Sequence, residues 1–242
     1  MAATHHPEIT AGGPRPLSEL AYELITDKII RLDFPPGSAL VEKSLMEELD
    51  LGRTPIREAL QRLTVEGLVC RTHYSGVYVC EVTEDSVASI AEFRLTTDPI
   101  IARLATQRCT DDGIDELEEN LALLRAHHIA GRQDGYTHAS RRFYATLSAQ
   151  TGNLHLIEAA KNIYNFDARL LYFAARSTED WNALTQMRID NASEVLDCMR
   201  RRNSQEAEAV VRLYLVRYFD RVSALLRRHE ADGGRIVKLR TG

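Results

Sequence analysis

The chain has 242 residues, which is long for one domain and comfortable for two. Hydrophobic residues make up 44% and charged residues 27%, and no apolar run approaches the roughly 20 residues of a spanning helix, so a disordered or membrane-spanning chain is excluded. The net charge of −5 argues weakly against nucleic-acid binding, so any DNA contact needs a local basic face.

The chain ends and the cysteines indicate the cellular setting. Residues 1–16 lack a basic segment followed by an apolar one, so no secretory signal is visible, and we expect a flexible leader there and a mobile tail at 231–242. The four cysteines form no CxxC pair, which is typical of reduced thiols in a cytoplasmic protein. They are Cys70, Cys80, Cys109 and Cys198.

The first part of the chain predicts three helices. Apolar residues at helical spacing indicate helices over 17–32 and 41–49, and a Pro-Pro-Gly turn ends the first. A third helix is expected to begin with Thr54 as its N-cap and Pro55 at its first helical position, where the missing N–H costs nothing.

A β-hairpin is predicted directly after the third helix. Its strands are placed at 68–72 and 77–82, with Gly76 in the turn. Three helices followed by a hairpin are the order of a winged helix-turn-helix, which we place at residues 17–82.

The second part, residues 83–230, is helical in period throughout. Most breaks between its helices supply a Ser, Thr, Asp or Asn cap, and Pro99 is expected to kink the first helix. Short loops join antiparallel neighbours, so the fold class is mainly α: a winged helix-turn-helix followed by an antiparallel bundle of six to seven helices. The predicted helices are 84–109, 113–130, 135–151, 154–176, 180–202 and 204–230.

The start of the third helix carries the side chains that read DNA. Arg53 and Arg57 are four residues apart and share one face, opposite the apolar one. A recognition helix enters the major groove by its N-terminus, where arginine pairs bidentately with guanine, and Thr54 with the free N–H groups suits a phosphate. Further donors on the second helix and the wing are Lys43, Arg71 and His73.

The motifs of this segment resemble the GntR family of bacterial regulators. PPGxxL, RTPIREALxRL and EGLV occur in that order within the segment 17–79. The resemblance implies that Gly76 approaches the minor groove and that four residues contact DNA: Lys43, Arg53, Thr54 and Arg57. The chain departs from the family pattern at Asp50 and Gly52, where Gly and Ser or Thr are usual, and one capping or phosphate contact is lost there. The alternative, that the two arginines are only solvated surface charges, leaves the whole signature unexplained.

The second part resembles the all-helical effector-binding domain, of the FCD type, in the FadR-like branch of that family. The landmarks are EFRL at 92–95, Phe143-Tyr144 and Gly152-Asn153. Many such domains bind a divalent metal ion with one Asp and three His. Here the four ligand positions fall on Ser140, Tyr144, Asn191 and Tyr214.

These four side chains change the chemistry of the site. Hydroxyls and an amide do not hold a divalent ion as imidazoles and a carboxylate do, so we expect no metal and no other cofactor. The same groups suit a polar organic ligand. The alternative is a decayed site with ordinary buried polar side chains.

Arg94 is a further candidate for ligand binding. The resemblance implies that it projects into the effector cavity, where its planar guanidinium suits a ligand carboxylate. The alternative is a structural salt bridge with Asp98, one turn later, and the two are compatible because Asp98 can orient Arg94. We therefore expect a small polar metabolite, a carboxylate by preference, held by both residues and the neutral set.

Asp134 and His138, one turn apart with His127 and His128 nearby, form a rival candidate for a metal site. These residues lie at a helix junction between two glycines. Exposed histidines at a loop are usually ordinary surface residues, so this site is not favoured.

The favoured function is a DNA-binding regulator. We expect a homodimeric repressor that binds double-stranded DNA at an operator with an inverted repeat and responds to a small-molecule effector. The alternatives are a metal-dependent hydrolase built in the bundle and a purely structural adaptor. The sequence has no GxSxG, HExxH or P-loop motif, so we expect no enzymatic activity. A purely structural adaptor would leave the RTPIREAL helix unexplained.

Overall fold

The computed structural model describes residues 16–72, 76–175 and 177–231. The chain divides into two compact units. The first unit comprises the chain up to Ile29 together with the segment Phe34–Cys80. The other comprises Ile30–Asp33 and the chain from Glu81 onward, so Ile30–Asp33, Glu81 and Val82, which the sequence placed in the first domain, are grouped with the second. The expected leader and tail fall outside the described residues, apart from Pro16 and Ala231.

The first unit contains three helices and a two-stranded antiparallel sheet. These are α1 (Leu17–Ile30), α2 (Glu42–Leu49), α3 (Arg53–Glu66), β1 (Val69–Thr72) and β2 (Gly76–Val79). In the sheet, Val69 pairs with Val79 and Thr72 pairs with Gly76. The core is built from apolar side chains at helical spacing. Because those of α3 share one face of the helix, its opposite face is turned to solvent. The fully buried members on α1 and α3 include Ala21, Ile25, Ile29, Ile56, Leu60 and Leu63.

The second unit is a helical bundle. Its helices are α4 (Glu84–Arg108), α5 (Asp111–Ile129), α6 (Gln133–Ala149), α7 (Leu154–Ala174), α8 (Thr178–Arg200) and α9 (Ser204–Ala231). α4 packs most extensively against α9, and α5 packs most extensively against α6. The predicted fold class is therefore confirmed, with six helices in the described part of this unit.

Side chains at the predicted breaks start several of these helices. Thr83 forms a capping box with Ser86 at the start of α4. Thr110, Asn153 and Ser177 accept hydrogen bonds from backbone N–H groups in the first turns of α5, α7 and α8. Such caps satisfy N–H groups that have no partner within a helix, which is why local sequence located these starts well.

Within the described ranges, none of the helices is both long and apolar enough to span a bilayer.

Candidate DNA interface and ligand cavity

The third helix, α3, begins earlier than the sequence suggested. Its first residue is Arg53 and its N-cap is Gly52, so the assignment of Thr54 as N-cap and of Pro55 to the first helical position was wrong. The extended backbone of Gly52 (φ −70°, ψ 168°) places Arg53 and Thr54 inside the first turn. The Ile56 N–H donates to the Gly52 carbonyl at 3.4 Å. Pro55 is tolerated because the N–H groups of a first turn have no helical partner.

The turn between α2 and α3 is locally unfavourable at two residues. Asp50 is the C-cap of α2 and adopts the left-handed conformation (φ 53°, ψ 44°), which costs more for Asp than for Gly. Gly52 makes no side-chain cap hydrogen bond. The two departures from the family pattern thus coincide with a strained residue and an uncapped helix start.

The outward face at the start of α3 is basic. Arg53, Thr54 and Arg57 are exposed, whereas Ile56 and Leu60 on the opposite face are fully buried. The first-turn N–H groups point along the helix axis toward the same end, where they and the helix dipole favour a negative charge. This arrangement can bind a phosphate and present guanidinium groups to base edges.

An acidic residue that sequence reasoning missed lies against Arg57. The Nε of Arg57 donates to both carboxylate oxygens of Glu42, at 2.9 and 3.0 Å. Arg57 is 59% exposed and Glu42 is 32% exposed. Glu42 is in the first turn of α2, so no spacing rule within one helix relates it to Arg57.

The remaining predicted DNA-contacting residues lie on α2 and the wing. Lys43 is exposed, with its Nζ 3.8 Å from a carboxylate oxygen of Glu47. Arg71 is exposed on β1, and Gly76 is exposed with φ +104°, a conformation that glycine adopts most readily. A Cβ on Gly76 meets no atom within 4 Å, so the backbone conformation, not space, favours glycine there. His73 lies outside the described residues.

A small internal cavity lies within the helical unit. Its volume is about 10 Å³, close to what one water-sized group needs. Its polar lining comes from α4, α6, α7, α8 and α9 and consists of Arg94, Asp98, Tyr144, Tyr164, Asn191 and Tyr214. Five of the six predicted effector-binding residues therefore meet at one place. Ser140 is buried one turn before Tyr144 but does not line the cavity.

Arg94 is part of a buried chain of alternating charges. Its Nε lies 2.8 Å from Asp98, and its Nη1 lies 2.6 Å from Oδ1 of Asp167. The second oxygen of Asp167 lies 2.7 Å from Arg188, which also donates to the Tyr218 hydroxyl. Two guanidinium groups and two carboxylates balance one another. Arg94 is thus paired with two carboxylates, whereas the sequence had suggested Asp98 alone.

Asp167 and Arg188 were missed, although the sequence contains a signal for them. Asp167 lies three residues after Tyr164 and four before Leu171, both of which are buried. Arg188 lies four residues from both Leu184 and Ala192, likewise buried. A charged residue in the middle of an apolar helix face predicts a buried partner.

Burial and ion pairing act together on the charged groups around the cavity, and for Asp98 burial outweighs the attraction of Arg94 and raises the pKa of the carboxyl above its usual value. Burial lowers the pKa of Arg94, but attraction to Asp167 and Asp98 outweighs it and raises the pKa well above its usual value. The pKa of Arg188 is raised in the same way, chiefly by Asp167. Burial raises the pKa of the Tyr144 and Tyr214 phenols, so both remain protonated hydrogen-bond donors at neutral pH.

Three uncharged polar atoms on the cavity wall have no hydrogen-bond partner within the described residues, and the Nη1 of Arg94 has only its ion pair with Asp167. The three uncharged atoms are the hydroxyls of Tyr144 and Tyr214 and the Oδ1 of Asn191. A buried polar atom without a partner costs about 1–3 kcal/mol, so three at one cavity are unusual in a purely structural core.

Comparison with known proteins identifies the family. The family described as "Bacterial regulatory proteins, gntR family" matches residues 17–79, and "FCD domain" matches residues 89–217, more than half of the chain. The chain belongs to the GntR family. Its members are transcription regulators with a DNA-binding helix-turn-helix domain, and the FCD domain binds effectors. They are not enzymes, and the hydrolase alternative finds no support.

Individual relatives agree with this assignment. The Nta operon transcriptional regulator of Aminobacter aminovorans is 25% identical over 80% of this chain and 89% of its own length. The transcriptional repressor GlaR of Escherichia coli K12 is 24% identical over 81% and 90%. Among solved structures, E. coli McbR/YncC superposes with a TM-score of 0.76 and 18% identity, covering 89% of this chain and all of that one. A GntR regulator from Rhodococcus sp. RHA1 gives 0.69 at 19%, covering 86% and 97%. At these identities the structural likeness shows the fold alone.

The metal site that many FCD domains possess does not fit the residues of this GntR regulator. The four ligand positions carry no imidazole and no carboxylate, and the cationic Arg94 lines the same cavity. A divalent cation there would meet the positive charge of Arg94, an Asp98 carboxylate already paired with it, and neutral oxygen atoms that bind a cation weakly. Across the described ranges, no group of three or more His, Cys, Asp and Glu is placed to hold a metal ion.

The rival metal candidates of this GntR regulator have other contacts. The Asp134 carboxylate lies 3.3 Å from Arg31 and accepts a hydrogen bond from the Tyr172 hydroxyl at 2.9 Å. The Nδ1 of His128 lies 2.9 Å from the Thr185 hydroxyl. These contacts give the residues structural roles.

Proposed function

We propose that this GntR regulator is a homodimeric repressor whose operator affinity is controlled by a small polar metabolite bound in the helical domain. The observation that carries the effector part is the set of three unpartnered polar atoms around one cavity. The exposed basic start of α3 supports the DNA-binding part.

Operator recognition is assigned to the start of α3. Arg53 and Arg57 face the same way and suit guanine edges in the major groove, while Thr54 and the first-turn N–H groups suit a phosphate. Lys43, Arg71 and the wing residues would add contacts on either side. A single winged domain makes few contacts, so a two-fold dimer on an inverted repeat provides the affinity that an operator requires.

The effector is assigned to the cavity. Tyr144, Asn191 and Tyr214 offer donors and an acceptor to a polar compound, and Arg94 lies beside them. A carboxylate effector, the class favoured on sequence, would reach Arg94 only by displacing Asp98 or Asp167, because both already contact the guanidinium. Ligand binding that repacks these helices would change the affinity for DNA.

Repression is proposed from the relatives. Two of them, GlaR and RspR of E. coli K12, are named as transcriptional repressors. The simplest action is then that the ligand-free protein occupies the operator and the effector releases it.

The test is a titration of the protein against DNA from its own promoter region and against unrelated DNA of the same length, at several salt concentrations. We expect tighter binding to the promoter fragment, and release by one or more metabolites of a thermal-shift screen. Equal affinity for both DNAs at every salt concentration would contradict operator recognition. Light scattering that shows a monomer with and without DNA would contradict the dimer.

A further inference from the structure

We infer that the effector is an uncharged hydroxyl compound. One of its hydroxyl groups occupies the internal cavity between Tyr144, Asn191 and Tyr214, and the rest of the molecule lies in the groove between α8 and α9. This inference rests on the proposed function, because it names the ligand class for the same site.

The charge balance of the site favours a neutral ligand. Asp98, Arg94, Asp167 and Arg188 are joined by three ion pairs into a set of two positive and two negative groups, each no more than 6% exposed. A ligand carboxylate would add a negative charge that no remaining group in this set can balance, and a buried charge without a partner is strongly unfavourable. An uncharged ligand leaves all three ion pairs in place.

The hydrogen-bonding pattern of the three unpartnered atoms matches a hydroxyl group. The Tyr144 and Tyr214 hydroxyls can each donate, whereas the Asn191 Oδ1 can only accept. An alcohol hydroxyl donates one hydrogen bond and accepts two, so it satisfies all three atoms at once. A carboxylate only accepts, so it would leave the Asn191 oxygen without a donor.

The shape of the site explains how such a ligand fits. The cavity of about 10 Å³ admits one hydroxyl and little more. A groove of about 200 Å³ between α8 and α9 shares Asn191 and Tyr214 with it, so these two side chains form the boundary between the two spaces. The apolar side chains of the groove suit a short carbon skeleton; they are Met187, Val210 and Leu213. Its charged side chains are two carboxylates and one guanidinium, which again disfavour an anion; they are Asp190, Glu194 and Arg217.

The first experiment needs no ligand and compares melting temperatures of matched tyrosine variants. Tyr144→Phe and Tyr214→Phe remove hydroxyls that have no partner, so we expect the melting temperature to stay the same or rise. Tyr136→Phe is the control. Its hydroxyl is also buried but donates to the Thr185 carbonyl at 3.2 Å, so the melting temperature of this variant should fall. An equal fall for Tyr214→Phe would overturn the inference, because its hydroxyl would then have a partner in the protein.

The second experiment uses probes of matched size and different charge. Glycerol and propane-1,2-diol are compared with glycerate and lactate, by melting temperature and by the affinity for operator DNA. Polyols stabilise many proteins by exclusion from the surface, so the measured quantity is the difference between the parent and Asn191→Leu. We expect a saturable shift from the two neutral probes that Asn191→Leu loses, together with weakened operator binding in the parent.

Each outcome decides the question. A saturable shift from glycerate or lactate alone would overturn the neutral class in favour of a carboxylate that displaces an aspartate from Arg94. No saturable shift from any probe, with operator binding intact, would overturn this inference and leave the DNA-binding function standing. Loss of operator recognition in the parent would instead refute the proposed function itself.

Discussion

At the residue scale, the contact between Glu42 and Arg57 shapes the proposed reading of DNA. Glu42 accepts two hydrogen bonds from the same Nε, so the Nη1 and Nη2 groups of Arg57 take no part in this contact. These two groups form the end-on pair with guanine O6 and N7. Glu42 therefore holds Arg57 in an orientation that suits base recognition and also lowers the local positive charge.

Arg57→Ala should weaken binding to operator DNA strongly while leaving the fold intact. The side chain is 59% exposed, so its removal costs little stability, whereas one bidentate contact with guanine is worth about 1–3 kcal/mol per half-site. Binding is measured by fluorescence anisotropy, and folding by the melting temperature. Arg125→Ala, an exposed arginine on α5, is the control and should bind as the parent does. Unchanged operator affinity in Arg57→Ala would show that α3 is not the recognition helix.

Glu42→Gln should reduce discrimination between operator and unrelated DNA. Affinity for unrelated DNA should rise because a negative charge is lost, while the operator gains less because Arg57 is no longer held. Glu47→Gln is a matched control on the same helix: it removes the same charge near Lys43 without touching Arg57, so it should leave the ratio of the two affinities unchanged. A ratio that falls equally in both variants would mean that Glu42 acts only through its charge.

At the residue scale too, the neutral side chains at the four metal-ligand positions predict that the protein does not depend on a metal ion. Purified protein should retain no stoichiometric zinc, nickel or manganese, and a chelator should leave its melting temperature unchanged, since Tyr144, Asn191 and Tyr214 offer no strong ligand. Elemental analysis and thermal melts check this. One tightly held metal per chain would make Asp134 and His138 the first residues to substitute.

At the element scale, the short turn between α2 and α3 limits the stability of the DNA-binding unit. α3 itself is well determined, because its apolar residues repeat at helical spacing and Gly67 ends it with φ +82°. The turn before it combines a left-handed Asp50 with an uncapped Gly52. Both are local defects that a single substitution can remove.

Asp50→Gly should stabilise the first unit by about 1 kcal/mol, because glycine adopts the left-handed conformation without the Cβ penalty. Gly52→Ser should add a few tenths of a kcal/mol by supplying a cap oxygen, since a Cβ there meets only Pro55 Cδ at an ordinary 3.8 Å. Denaturant unfolding measures both. Asp50→Ala, which removes the charge but keeps a Cβ, separates electrostatics from conformation: a gain as large as that of Asp50→Gly would assign the effect to charge.

At the scale of the whole molecule, burial of tyrosine sets the response to alkali. Burial raises the pKa of seven of the nine tyrosines, and for two of them, Tyr22 and Tyr218, it raises the pKa to about 12. The other five are Tyr136, Tyr144, Tyr164, Tyr172 and Tyr214. Tyr22 lies in the first unit and the other six lie in the second, so alkali should affect both units.

The free energy of unfolding should fall as pH rises from about 10 to about 12. The unfolded phenols ionise near pH 10 and the folded ones at higher pH, so this stability is fully present below pH 10 and is lost as pH rises through the folded pKa. Phenolate absorbance and denaturant unfolding, measured over the same pH range, check this. Seven tyrosines that ionise near pH 10 in a folded protein would contradict the burial seen here.

The sequence by itself determined the elements and the outward basic face of this protein. Helical spacing and capping residues act within one segment, so they located the six helices of the bundle and placed Arg53 and Arg57 on one side of α3. The motif order was specific enough to identify the family, and the positions of Tyr144, Asn191 and Tyr214 followed from that resemblance.

Only the tertiary structure decided which charges and polar atoms meet. Asp167 pairs with Arg94 and Arg188 from three different helices, and Glu42 reaches Arg57 across the turn of the helix-turn-helix. Such contacts depend on how helices cross and on their rotation about their own axes, which no spacing rule within a helix fixes. For the same reason the charge balance around the cavity, which favours a neutral ligand, was visible only in the folded chain.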